Sequence, residues 1–346
     1  SNLNEFTSGS KDETIRLSFG NIIEWSDIAL IPSFPSKESI DIFLQLRKSP
    51  RLDIQIEEEW MARPHRELDA TNDKKNKKTG EELMVFNLEE GVKDFWPIYN
   101  GKSFNLWEPD TEKYYAHGDP DKLIPYLQTR RERSTSALNA FNDSWKMDVN
   151  TLPCFLPRII FRDIARAKDP RTIISCLAPP NVFLTNKAPF FLFPRGNPKD
   201  ITYLLGILSS IPLDWYARRI AELGINFFLI KSLPVPRPQK ESLLRSRVIS
   251  LAGRLACNDE RFKLWSREIG VEYGPLPQNE KDNMICELDS VVAHLYGLSE
   301  NQLTQIFETF RIGWDYESRL DETLLHYKDW ANKLGEILSI TKMVIH

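Results

Sequence analysis

The feature that most constrains this chain is an uneven distribution of charge. From Pro153 to Ala256, 16 Lys and Arg stand against 6 Asp and Glu; from Cys257 to His346 the balance reverses, 9 against 16. The net charge of the whole is only −4, so a basic middle lies between acidic flanks. Such asymmetry is expected where one part of a molecule faces a polyanion. The same segment is strongly apolar between its charges: L-P-R-I-I-F-R-D-I-A-R at Leu156–Arg166, P-N-V-F-L-T-N-K at Pro180–Lys187, Y-L-L-G-I-L-S-S at Tyr203–Ser210 and L-P-V-P-R-P at Leu233–Pro238. It must therefore build a core and a basic surface from one stretch of chain.

A length of 346 residues implies two or three domains. Apolar content of 41% and charged content of 27% are those of a globular protein. No apolar run approaches the roughly 20 residues of a membrane helix, and no basic-then-apolar leader opens the chain. Cys154, Cys176, Cys257 and Cys286 contain no C-x-x-C pair, so they read as buried free thiols of a cytoplasmic protein rather than zinc ligands. The start at Ser1 without Met suggests an excised fragment.

Residues 1–15 read as a polar tail, with short strands at Ile15–Phe19 and Ile28–Ile31. Ser36 is placed to cap a helix over Lys37–Lys48, and Ile54-Gln55-Ile56 alternates as a strand does. The stretch Arg63–Asp73 holds Arg63, His65, Arg66 and Asn72, all able to reach a phosphate or a base edge. His65, Glu67 and Asp69 also raise the idea of a metal or nuclease site, but Asp73-x-Lys75 supplies only a fragment of the carboxylate-and-lysine set such chemistry needs. Lys74–Lys78 reads as a solvated loop. Asn100-Gly101 predicts a hairpin turn, with Lys102 and Ser103 just beyond it facing phosphate or solvent. Pro120–Ala140 reads as a basic helix carrying Arg130, Arg131 and Arg133.

In the middle segment, strands are predicted at Arg158–Arg166, Arg171–Leu177, Val182–Asn186, Pro189–Pro194 and Ile225–Leu229, with helices at Ile201–Ser210 and Pro212–Glu222. Arg grips phosphate and guanine as a fork, and Asn reads adenine in the same way. Arg158, Arg162, Arg166, Arg171, Thr172, Asn186 and Lys187 are therefore DNA-contact candidates, with internal pairing to Asp163 or Asp169 as the alternative. After Lys240 apolar residues recur at three- and four-residue spacing, which predicts helices, the last over Leu320–Leu338. His294 falls on an apolar face and reads as a core histidine.

P-I-Y-N-G-K-S-F at Pro97–Phe104 resembles the P-x-Y-x-G-K element of adenine-specific DNA methyltransferases of type II restriction–modification and related phage-defence systems. R-I-I-F-R-D-I-A-R-A and R-T-I-I-S-C-L-A-P-P, at Arg158–Pro180, are similar to the start of their target-recognition domain. Y-L-L-G-I-L-S-S with I-K-S-L-P-V-P is similar to its end, and E-L-D-S-V-V-A-H-L-Y-G-L-S at Glu287–Ser299 to the helical segment that follows. These elements span about residues 63–310. The N-P-P-[YF] loop that holds a flipped adenine and the Gly-rich S-adenosylmethionine loop are both missing: Pro179-Pro180-Asn181 has the wrong order, and Gly206 and Gly253 stand alone. The resemblance thus implies a catalytic domain, with its cofactor S-adenosylmethionine, located N-terminal to Ser1 in a parent chain.

The expectation is an α+β fragment: a connecting region of hairpins and helices over 1–150, a mixed β-rich DNA target-recognition domain over 151–240 and a helical C-terminal region over 241–346. Its partners would be double-stranded DNA and the methyltransferase domain of the same parent. No catalytic residue, metal ligand or cofactor is expected within the fragment, and no membrane. The alternative is a protein-interaction module of a defence complex, whose basic segment pairs with its own acidic flanks or a partner.

Overall fold

The computed structural model describes Gly20, Pro32, Phe34 and residues 36–88, 94–134, 141–164, 169–221, 224–310 and 316–344. The strands expected at 15–19 and 28–31 lie outside the described residues. Eleven α-helices and seven strands are named among those described.

Two sheets and two helical layers are stacked, and the alternation of the strands explains the order. Strands β1 (Met61–His65), β4 (Arg158–Phe161), β5 (Ser175–Ala178) and β7 (Phe190–Arg195) form an antiparallel sheet in the order β1-β7-β4-β5. Strands β2 (Trp96–Tyr99), β3 (Ala116–Gly118) and β6 (Phe183–Leu184) form a smaller sheet in which β2 lies antiparallel to β3 and parallel to β6. On the larger sheet Ile159, Phe161, Leu177 and Phe191 point into the helical core. Ile160, Cys176, Phe190 and Leu192 point the other way, onto Tyr99, Phe104 and Leu184. Strand residues alternate faces, so a strand covered on both sides is apolar throughout, as R-I-I-F and S-C-L-A are after their first residue. Ile98 and Phe183 of the smaller sheet face outward onto Leu123 and Leu127 of helix α2 (Pro120–Arg133).

The helical core is built around α4 (Pro198–Ser209), α5 (Ile211–Ile220), α7 (Leu243–Ala256) and α9 (Gln278–Leu295). Gly206 allows α4 and α7 to close up: a Cβ there would lie 2.5 Å from Val248 Cγ1. Asn197 and Asp200 form a capping box at the start of α4, which begins with Pro198. Helices α10 (Glu300–Glu308) and α11 (Tyr316–Val344) complete the C-terminal part, and Trp330 of α11 is buried beside α9, its Nε1 donating to Glu287 at 3.0 Å. His294 stacks on Tyr327 with ring centroids 4.1 Å apart and bonds its carbonyl, in keeping with a core histidine. All four cysteines are buried free thiols. Among the described residues no helix is long and apolar enough to cross a membrane.

Several expected elements are corrected. Ile225–Leu229 is not a strand: α6 (Phe227–Ser232) begins there because the Asn226 side chain accepts from the Leu229 amide at 2.9 Å and caps a helix. Residues 54–56 form no strand; Ile54 is exposed, an isolated bridge joins Arg51 to Pro234, and the first strand starts at Met61. The Asn100-Gly101 turn forms, with Ser103 N donating to Asn100 O at 3.0 Å, but it does not close a hairpin. The chain runs irregularly to β3 before returning to β2. Helix α2 stops at Arg133, and residues 135–140 of the helix expected there lie outside the described residues. The first helix, α1 (Glu38–Arg47), follows Ser36, whose Oγ accepts the Ser39 amide at 3.4 Å.

Candidate nucleic-acid interface

The eleven residues picked out as DNA contacts divide into those consumed by the fold and those left at its surface. Arg158, at the start of β4, is 4% exposed. Its Nη2 donates to Glu67 Oε2 and to Val182 O, both at 3.0 Å, and its Nη1 to Pro153 O. Burial holds the Glu67 carboxyl above its ordinary range, against the pull of Arg158 and of the Leu184 amide that it accepts at 2.8 Å. Arg171 donates to Ser209 O at 2.8 Å and Ser210 O at 3.0 Å, and its Nε lies 3.5 Å from Asp214. Asp214 also accepts the backbone amides of Thr172 (2.9 Å) and Ile173 (2.6 Å), while Arg218 Nε donates to Thr172 Oγ1. The segment expected to open a strand at Arg171 is thus tied to α5, and β5 begins only at Ser175.

Ser103 is fully buried; its hydroxyl accepts from Asn100 N at 2.9 Å and donates to Lys113 O at 2.7 Å, so it braces the turn from inside. Asn186 Oδ1 accepts the Ala70 amide at 3.1 Å and joins the loop after β6 to the loop after β1. For Arg158, Arg171, Thr172 and Ser103 the expectation of an open phosphate or base contact is therefore corrected. A buried charge needs a partner, and here the partner is internal.

The rest are more accessible. Arg63 is half-buried on β1 opposite Leu192 of β7. Arg66 is exposed, its guanidinium 4.8 Å from the centre of the Phe227 ring. Arg166 lies outside the described residues. Lys102, Arg162 and Lys187 are brought together: they line one groove of about 350 Å³ with Asp163, Ile164 and Asp169. Each comes from a different connection, namely the turn after β2, the end of β4 and the turn between β6 and β7. Gly101 lies where these connections meet: a Cβ there would be in ordinary contact with Lys187 O at 3.4 Å and Arg162 Cγ at 3.7 Å. Arg162 is half-buried, donates to Phe104 O at 2.5 Å and to Asn105 Oδ1, and burial lowers its affinity for a proton. Lys187 Nζ pairs with Asp163 at 3.0 Å while remaining exposed, and Lys102 is exposed. Among the described residues of 257–346 none lines this groove.

The carboxylates once considered for a nuclease are otherwise engaged. Asp73 is buried and accepts from Arg130 Nη1 and Tyr126 OH, each at 2.6 Å. Asp69 accepts the amides of Thr71 and Asn72, which hold its carboxyl below the usual range. His65 packs edge-on against Phe190, and burial together with Arg130 pushes its pKa down to about 4. Among the described residues no group of three His, Cys, Asp or Glu is placed to hold a metal. Sequence reasoning missed Asp214 and the cleft in which His65 and Arg131 meet. The pairing of Arg131 with Gln128 three residues earlier on one helix face was the only available signal.

No protein-family model matches the chain, and no curated protein matches it. Solved structures similar to parts of it include two restriction enzymes. The type IIL restriction–modification enzyme MmeI, in complex with DNA, aligns at 14% identity and a TM-score of 0.38, over 76% of this chain and 37% of that one. The type IIG restriction endonuclease BpuSI aligns at 13% identity and a TM-score of 0.39, over 85% and 34%. The chain therefore spans about a third of the length of either enzyme. Likeness of this strength says nothing of activity.

Proposed function

We propose that this chain binds double-stranded DNA through the groove of Lys102, Arg162 and Lys187, as the target-recognition part of an adenine-specific DNA methyltransferase. The convergence of three separately encoded cations on one open groove carries the reading. Flexible Lys side chains would hold phosphates, and the Arg162 fork, anchored by Phe104 and Asn105, would sit near base edges. The methyltransferase part rests on the sequence resemblance alone. Neither of the two isolated glycines suits S-adenosylmethionine: Gly206 and Gly253 are both packed inside helix contacts, with Val248 and Ile269 atoms 2.5 Å from where their Cβ would be. No step through that cofactor is assigned to this chain.

A protein-interaction module is the second reading, and one observation favours it. Asp163 and Asp169 share the groove, so three cations meet two carboxylates there. Fluorescence anisotropy with a labelled duplex at low salt separates the two. Lys102→Glu with Lys187→Glu is expected to abolish binding; a chain that shows no DNA affinity at low salt, or a double variant that binds as the parent does, refutes the DNA reading.

A further inference from the structure

A second concavity lies between the edge of the larger sheet and helix α2, and none of the proposed DNA groove belongs to it. It has a volume of about 130 Å³ and is walled by Phe190 and Leu192 of β7, Leu127 of α2 and Trp145 of α3 (Asp143–Met147). A cavity of roughly 150 Å³ takes a benzene ring, so this one suits a single six-membered ring. Polar groups ring the apolar walls: His65, Glu67, Ser134 and three arginines, Arg66, Arg130 and Arg131.

The charges there do not cancel. Glu67 is satisfied by Arg158, and Arg130 by Asp73. Arg131 is only 7% exposed, yet among the described residues it pairs with no carboxylate. Its Nη atoms donate to neutral oxygens: Thr151 Oγ1 at 2.9 Å, Gln128 Oε1 at 2.6 Å and Asp148 O at 2.5 Å. Its Nε is buried with no hydrogen-bond partner, and its guanidinium lies 4.7 Å from the centre of the Trp145 ring. Asp148 and Glu132 lie near enough to favour its charge, but neither contacts it; a buried cation with no carboxylate in contact is costly, and an incoming anion relieves that cost. Arg66 adds an exposed positive charge at the mouth.

We propose that this cleft binds one pyrimidine nucleotide, the ring between Phe190, Leu127 and Trp145 and the phosphate held by Arg131 and Arg66. A small apolar slot beside a guanidinium that contacts no carboxylate is what a base with its phosphate requires, the ring meeting apolar walls and the phosphate the charge. Its volume matches one six-membered ring better than the fused rings of a purine. The nucleotide arrives free or as an unpaired residue of a strand; the chemistry that recognises it is the same.

The test is calorimetric titration of the full chain with cytidine monophosphate, cytidine, inorganic phosphate and adenosine monophosphate. Cytidine monophosphate is expected to bind at least about 10-fold more tightly than each of the other three, because ring and phosphate contribute together. Arg66→Glu, at an exposed position, should weaken it by about 10-fold, a like charge now facing the phosphate. Ser134→Trp should abolish it by filling the mouth, with circular dichroism confirming that both variants fold. Competition by a duplex carrying one unpaired cytidine identifies a strand as the source, and lack of competition identifies the free nucleotide; either outcome supports a nucleotide site. Absence of binding at millimolar cytidine monophosphate overturns the proposal, as does phosphate or cytidine binding equally well, or either variant binding unchanged. Lys102→Glu with Lys187→Glu should leave this titration unaltered, so its failure and that of the DNA groove are distinguishable.

Discussion

Two parts of this molecule display arginines from the same basic segment and put them to opposite use. Arg158, on the face of the larger sheet toward the smaller one, and Arg171, against the helical core, are 4% and 7% exposed and meet Glu67 and Asp214. In the groove by the Asn100 turn, Arg162 donates through Nη2 to the neutral oxygens of Phe104 and Asn105, Lys187 meets Asp163 in an exposed pair, and Lys102 reaches solvent. The first set ties layers together; the second is available to a ligand. What separates them is how deeply the tertiary structure buries each cation with its partner, not the residue type.

That contrast is broken most sharply at Asp214, which is fully buried, accepts two backbone amides and faces Arg171 and Arg218. Asp214→Ala is expected to destabilise the chain by about 3–5 kcal/mol, as removal of one partner of a buried pair does, and Arg158→Met by a similar amount because Glu67 is left unpaired. Urea denaturation measures both; losses under about 1 kcal/mol would mean that these arginines are not structural. Arg162→Met should cost less, about 1 kcal/mol, the worth of a hydrogen bond to neutral partners.

His65 sharpens the comparison from a neighbouring site. Its pKa is lowered from 6.5 to about 4 by burial and by Arg130, so the folded state refuses a proton that the unfolded chain accepts. The stability this contributes is complete above pH 6.5 and is lost as pH falls toward 4, by about 3 kcal/mol at most. Chemical denaturation at stepped pH should show that decline, and His65→Gln should flatten it; an unchanged slope would place the acid sensitivity elsewhere.

The helices after Lys240 were legible because their apolar residues repeat at helical spacing, and the strands at 158–161 and 190–195 because both faces are apolar. The apolar run at Ile225–Leu229 misled because one capping side chain, Asn226, outweighs β propensity in so short a stretch. Among the site residues, Lys102 was found through the Asn100-Gly101 turn signal, which places it on the surface, and Lys187 through its residue type in the basic segment. Arg158 and Arg171 were misjudged for a different reason. Glu67 is 91 residues from Arg158, and the carbonyls that bind Arg171 are 38 and 39 residues away. Local pattern carries no information about partners that the topology brings together.

The smallest effect on stability is expected where the effect on binding is greatest. Lys102 is exposed, and the Lys187–Asp163 pair has its lysine side chain 48% exposed, so solvent screens both. Lys102→Glu with Lys187→Glu should therefore change unfolding free energy by no more than about 0.5 kcal/mol. If the groove holds phosphates, each lysine removed takes one released counterion with it. The slope of log affinity against log salt should then fall by about 2 between the parent and a Lys102→Ala, Lys187→Ala chain, uniformly across DNA sequences. Arg162→Ala should behave differently: a fork at base edges alters which sequence is preferred by about 1–3 kcal/mol per base pair while leaving the salt slope nearly as it was. An Arg162 variant that lowers affinity equally for every sequence would make all three groove cations phosphate contacts and would move sequence reading to another face of the molecule.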